Sequence, residues 1–242
     1  MRSGDPARPA VRRAAILAIV AVTAGAIAVA ATYTPLFAAR RIRVEAGDLT
    51  RSEVLRLAGI GPATNVFHLD GLATERRLRR DPRVLDATVT TALPDRILIR
   101  VVPRVPVAVV GSPPTLVGGD GVLIGPAHPS TAFPSIRRAG GGAPPLAGRE
   151  AAAAAVAAMT PALRREVDAV VVDADGSLEV HVALGFTATF GDRTELAAKA
   201  ASLAALLAWV RGEGVSVVSA DLTVPGSPTA QLAETSSAVP LD

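Results

Sequence analysis

The chain has 242 residues, of which 50% are hydrophobic and only 3% aromatic, and its formal net charge is +3. It contains no cysteine, which excludes disulfides, thiolate nucleophiles and Cys-based zinc sites. A nucleic-acid surface needs clustered cations interleaved with aromatic side chains, and this composition argues against one.

Residues 1–13 form a short head carrying Arg2, Arg8, Arg12 and Arg13. From Ala14 to Ala31 the chain has no charge, and it stays uncharged to Ala39, just before Arg40-Arg41. Crossing a hydrocarbon core takes ~20 mostly apolar residues, so the run predicts a transmembrane helix over 14–37. Tyr33 and Phe37 would then lie at the far interface, where aromatic rings are favoured. A cleaved signal peptide is the competing reading, because Ala28-Val29-Ala30 has the small-x-small form of a cleavage site. Signal cores run to only ~7–15 residues, and the longer run here favours an uncleaved anchor. Long domains translocate largely regardless of charge. The expected topology is therefore a cytoplasmic amino terminus with the remaining domains outside.

Arg41–Ala46 alternates as a half-buried strand. Thr50 with Glu53 has the spacing of a capping box at the start of a short helix that Gly59 ends. A second helix is predicted over Gly71–Arg80, stopped by Asp81-Pro82. Val84–Thr91 and Arg96–Val102 read as strands joined by Ala92-Leu93-Pro94-Asp95. Strand character continues over Val107–Val110. Thr115–Val117 and Val122–Ile124 flank Gly118-Gly119-Asp120-Gly121, a hairpin signal. Gly125–Gly148 is Pro/Gly-rich and reads as a loop.

An alanine-rich helix is predicted over Arg149–Thr160, closed by Pro161. Asp168–Asp173 and Ser177–Leu184 form a hairpin, and Phe186–Phe190 is a further strand. Asp192 then reads as an N-cap with Glu195 at N3. The helix that follows has the clearest period in the chain, through Leu196, Ala200, Leu203, Leu207 and Val210, with Lys199 and Arg211 at its margins. Val215–Val224 is the last predicted strand, and 226–242 is a polar tail expected to be disordered.

The strand-helix-helix-strand-strand order behind an anchor resembles a polypeptide-transport-associated (POTRA) domain. The segments Asp81-Pro82-Arg83-Val84, Ala87-Thr88-Val89, Leu93-Pro94, Ile97–Val101 and Pro106-Val107-Ala108 narrow this to the FtsQ/DivIB family of bacterial cell-division proteins, of the actinobacterial kind. Gly185–Lys199 is similar to that family's second domain. Pro103 departs from the pattern, standing where the family has Glu before Arg104. The resemblance implies an α+β chain with a POTRA-like domain over 40–104 and a β domain over 105–225. It also implies a divisome scaffold at the septum, with FtsB- and FtsL-like membrane proteins as partners. The rival readings are a POTRA-type assembly or secretion factor, which should show repeats or a barrel, and a secreted hydrolase.

No catalytic, metal or cofactor site emerges. His68, His128 and His181 stand apart in the sequence, and Asp173 and Asp175 fit a hairpin turn better than a calcium loop, whose closing Glu is missing. The cluster Arg76-Arg77, Arg79-Arg80 reads as a solvated helix face, with anionic lipid as the alternative. No small-molecule substrate is expected. The one binding surface suggested is the edge of the last strand, at alternate positions Val215, Val217, Ser219, Asp221 and Thr223. Unpaired backbone groups there would accept an added strand.

Overall fold

The computed structural model describes residues 7–34, 37–128 and 132–233, with the side chains of its first helix given from residue 16 onward. Contacts divide the chain into two compact units, Met1–Pro103 and Arg104–Asp242. Both mix helices and strands.

Helix α1 (Ala7–Thr32) opens the first unit. It starts inside the stretch expected to be a head and stops short of residue 37. Tyr33 and Phe37 therefore lie beyond its end. Ile16, Leu17, Val22 and Val29 are each more than half exposed on it. Among the described residues, no helix is long and apolar enough to cross a membrane.

The rest of this unit is β1 (Arg41–Glu45), α2 (Arg51–Ala58), α3 (Gly71–Leu78), β2 (Val84–Ala92) and β3 (Arg96–Pro103). The sheet order is β1-β3-β2, with β1 parallel and β2 antiparallel to β3. The inward residues Ile97, Ile99, Val84 and Ala87 pack with Val54, Ala58 and Leu78 of the two helices. At the start of α2, Thr50 N donates to Glu53 Oε2 at 3.0 Å and Glu53 N donates to Thr50 Oγ1 at 3.3 Å. This closes the capping box, and Gly59 ends the helix at φ 68°.

The Asp81-Pro82-Arg83 segment has a mechanical role. Arg83 donates to Asp81 Oδ2 at 2.9 Å and to Glu53 Oε1 at 3.2 Å, pinning the entry to β2 onto the capped end of α2. The Thr50 hydroxyl first, and Arg83 after it, hold the Glu53 carboxyl down at about 2. Pro103, at the end of β3, sits against the β1–α2 turn. A Cβ on Gly47 would lie 3.1 Å from Pro103 Cγ, and Gly47 has φ 54°.

The second unit contains β4 (Pro106–Val110), β5 (Thr115–Gly118), β6 (Leu123–Pro126) and β7 (Ser135–Arg138), then α4 (Leu146–Ala158) and α5 (Pro161–Arg164). After these come β8 (Val167–Val172), β9 (Leu178–Val182), β10 (Thr187–Gly191), α6 (Leu196–Glu213), β11 (Val217–Asp221) and β12 (Thr229–Leu232). Among the described residues, the strands form one nine-stranded sheet, ordered β12-β11-β10-β9-β8-β7-β4-β5-β6. The buried faces of α4 and α6 share one apolar cluster with the sheet. On α4 that face is mostly alanine, which lets the helix lie close. A Cβ on Gly148 would come within 2.8 Å of Val172 Cγ1. The hairpin tip closes against the same helix, where Arg149 Nε donates to Gly121 O at 2.8 Å.

Four sequence expectations are corrected. The Gly125–Gly148 loop contains β7, which lies between β4 and β8 with Ile136 fully buried. Four residues with a single inward apolar side chain are too few to display a period. Pro161 starts α5 instead of merely ending a helix, with Leu163 N donating to Thr160 Oγ1. Val215–Val224 is not the last strand, since β11 is followed by β12. The tail expected over 226–242 is thus ordered across Thr229–Leu232, and 234–242 lie outside the described residues. The Pro225–Pro228 segment lies in the turn between these two strands.

Leu203 is fully buried on α6. Leu203→Asp removes that packing and inserts a charge, so it is expected to cost several kcal/mol, above the ~2–5 kcal/mol of a leucine truncation. Thermal unfolding followed by circular dichroism should then lose the cooperative transition of the second unit. An unchanged curve would show that the face of α6 is misassigned.

Candidate partner-binding surface

The carboxyl-terminal end of the large sheet is built by one crossover. β11 runs parallel to β10, pairing Thr187 with Ser219 and Thr189 with Asp221. A parallel pair cannot be joined by a tight turn, and α6 makes the connection. Its start is fixed by the only lysine in the chain. Lys199 is fully buried, and its Nζ donates to Asp192 O at 3.0 Å and Asp192 Oδ1 at 2.9 Å. The sequence period places Lys199 at a margin because it sits beside Ala200 and Leu203. The apolar face in fact extends over its stem, and only the ammonium finds polar partners.

Asp192 is not the N-cap. The helix begins at Leu196 after Glu195, whose backbone is left-handed at φ 50°. The Asp192 carboxylate instead accepts from Thr194 N at 3.1 Å and Thr194 Oγ1 at 2.6 Å. A loop of four residues between β10 and α6 leaves no room for the expected capping box. These Thr194 bonds, followed by Lys199, hold the Asp192 carboxyl at about 2.

Of the residues expected at the edge, Val217, Ser219 and Asp221 lie on β11, one strand in from it. Val215 and Thr223 fall just outside the strand. Ser219 Oγ lies 3.3 Å from Gln231 Oε1 of β12, and Asp221 Oδ1 accepts from Thr223 N at 2.8 Å. The edge itself is β12, all of whose residues are exposed, Leu232 by 48%. Its pairing register is Asp221 with Thr229, Ala220 with Ala230, Ser219 with Gln231 and Val217 with Leu232. The extra residue of the bulge is on β11, so β12 is regular. Ala233 N donates inward to Ser216 O at 2.8 Å. Backbone groups alternate sides along a strand, so Gln231 and Thr229 also face β11. Ala230 and Leu232 present their N–H and C=O outward.

Among the described residues, no group of His, Asp or Glu could hold a metal ion. Asp175 is engaged in its turn, accepting from Ser177 N at 3.0 Å and Ser177 Oγ at 2.7 Å. In the arginine cluster, Arg77 donates to Ala58 O and Arg79 to Asp86 Oδ1 and Ala87 O, both structural links within the first unit. Arg104 bonds Asp120 of the hairpin through Nε, at 2.9 and 3.1 Å.

The β-α-α-β-β unit with its β1-β3-β2 sheet is the architecture of a POTRA domain, here followed by a larger β-rich unit. A family model described as a POTRA domain, FtsQ-type, matches residues 37–104. The cell division protein FtsQ of Mycobacterium tuberculosis is 31% identical over 215 residues, covering 84% of this chain and 68% of that protein. That of Mycolicibacterium smegmatis is 30% identical over 193 residues, covering 78% and 58%. That of Syntrophotalea carbinolica is 38% identical over 92 residues, covering 38% and 32%. The chain belongs to the FtsQ/DivIB family of cell division proteins.

The Lys199–Asp192 contact makes an asymmetric prediction. Lys199→Met replaces a buried cation with an apolar side chain of similar length and is expected to change stability by less than about 1.5 kcal/mol. Asp192→Ala leaves the ammonium buried with one carbonyl partner and should destabilise more. The depressed Asp192 carboxyl contributes stability that is full above its ordinary range near pH 4 and is lost as pH falls towards 2. Denaturant unfolding at pH 7 and pH 3 tests both statements. Equal losses for the two variants would show that the ammonium does not depend on the carboxylate.

Proposed function

We propose that this protein is a single-pass membrane scaffold of the division machinery. Its uncharged run Ala14–Ala31 is the membrane anchor, its amino terminus is cytoplasmic, and both folded units lie outside the membrane at the septum. Its work is binding, not catalysis: it recruits and coordinates other division membrane proteins of the FtsB and FtsL kind. Support for the anchor comes from α1, where large apolar side chains are exposed around the helix. A helix apolar on every side is at home in lipid or a core, and no core surrounds this one.

The observation that carries the partner site is the exposed β12 edge. Ala230 and Leu232 offer outward hydrogen-bonding groups, and no proline or charge among Thr229–Leu232 blocks an incoming strand. An extended segment of the partner adds there as a tenth strand, with Val217, Ser219 and Asp221 supporting from one strand behind.

Two measurements test this reading. Amino-terminal sequencing of the protein extracted from membranes should return the uncleaved chain, and a new terminus at Ala31 would replace the anchor with a signal peptide. For the edge, proline is placed singly at two neighbouring positions and the tagged full chain is co-purified with co-expressed FtsB- and FtsL-like proteins. Ala230→Pro removes an outward donor and should abolish capture while the melting curve stays near that of the parent. Gln231→Pro breaks the β11–β12 ladder and should lower stability as well. Undiminished capture by a folded Ala230→Pro protein would place recognition elsewhere.

A further inference from the structure

The end of α1 is stitched to one end of the POTRA unit. Asn65 Nδ2 donates to Thr32 O at 2.7 Å, taking up a carbonyl that the helix end leaves unpaired. The Tyr33 and His68 rings stack at 4.4 Å, and Phe37 meets Phe67 at 5.6 Å. Ala39 N donates to Thr64 O, Val66 N to Phe37 O, and both Arg40 N and Arg41 N to Asp95 O. These bonds gather the 61–68 connection, the start of β1 and the β2–β3 hairpin tip beside the helix end.

That end of the unit is both apolar and cationic. Tyr33, Phe67 and Leu93 are 69%, 50% and 58% exposed. Arg41, Arg96 and Ala92 form one row across the sheet by register. At this row lies a trough of about 450 Å³, whose lining includes Arg41, Arg43, Arg96, Ala92 and Leu98. Arg41 leans on Asp95 at 3.5 Å, and Arg43 on Glu45 at 3.6 Å. The side chains of Arg40 and Arg96 have no hydrogen bond or ion pair among the described residues.

We propose that this end of the POTRA unit seats on an anionic phospholipid surface. Phosphates would meet Arg40, Arg41 and Arg96, while Tyr33, Phe67 and Leu93 enter the headgroup layer. Charge complementarity and continuity with the helix end favour lipid over a protein partner. Apolar side chains beside the arginines, of which Arg40 and Arg96 have no ion pair among the described residues, suit a layer in which phosphate overlies acyl chains. The inference rests on the anchor reading, because the helix delivers this surface to the bilayer.

The absence of native cysteine gives a direct test. Single variants Leu93→Cys, Leu85→Cys and Ala24→Cys of the full chain are labelled with an environment-sensitive fluorophore. Each is placed in nanodiscs of zwitterionic phosphatidylcholine, with or without phosphatidylglycerol, containing brominated lipids as quenchers. Leu85 lies near the opposite end of β2 and serves as the distant reference. The Leu93 label should be quenched more than the Leu85 label, and more strongly with phosphatidylglycerol. Adding Arg40→Glu and Arg96→Glu should reduce that quenching several-fold while leaving Ala24 quenched. Leu93 and Leu85 labels quenched alike, with Ala24 quenched, would overturn the seating alone. Equal quenching of Leu93 in both lipids would overturn the recognition of anionic headgroups. An unquenched Ala24 would overturn the anchor, and the seating with it.

Discussion

The exposed edge of the large sheet depends on how β11 is held against β10. The pair is parallel, so the chain must travel back along the sheet through α6 before β11 can begin. Leu203 and Leu207 fix the face of α6, while the buried ammonium of Lys199 fixes where the helix leaves β10. In the first half of the same helix, Ser202 Oγ donates to Pro225 O at 3.0 Å, joining α6 to the β11–β12 turn. The position of β12 follows from those restraints. A loosened α6 would disturb the edge without any change in β12 itself.

Burying the one lysine at that point has a physical logic. A leucine there would extend the apolar face but would leave the Asp192 carbonyl and carboxylate without a cationic donor. The ammonium satisfies both from beneath, while the carboxylate remains 66% exposed to water. Only one member of the pair is desolvated, so the penalty of a fully buried ion pair is largely avoided. The gain is geometric: a four-residue loop with a left-handed Glu195 is held to one conformation.

The POTRA unit was legible because its signals are local. The Thr50/Glu53 spacing, the Gly59 stop and the alternation of Ile97, Ile99 and Val101 each act within a few residues. The second unit combined legible and hidden parts. Its hairpin tips and the α6 period could be read, but β7 could not, because pairing with β4 and β8 defines it more than its own side chains do. The sheet edge was displaced by one strand for a related reason. Thr229–Leu232 has a single large apolar residue and follows two prolines, which reads as the start of a polar tail. Its strand character comes from the β11 ladder. The burial of Lys199 was likewise invisible, since a 3.6-residue period cannot tell a flanking cation from one whose stem is covered.

An edge of this size sets limits on how it can work. β12 has four residues, and its two outward-facing residues offer about four backbone hydrogen bonds. At a net ~0.5–1.5 kcal/mol each, these give roughly 2–6 kcal/mol, which on its own is binding between tens of millimolar and tens of micromolar. Side chains around Leu232 add to this, yet the contact remains small. Confinement to one membrane, as proposed, would change the arithmetic, because tethering two proteins to a common surface raises their effective concentration into the range where weak contacts fill. On the proposed reading, the anchor and the edge are parts of a single device. The edge would supply direction and register, and the membrane would supply concentration. A POTRA unit seated on the headgroups narrows the orientations the first unit must search. A scaffold of the proposed kind would need no deep pocket, and a four-residue edge would suffice once its partner is held in the same bilayer.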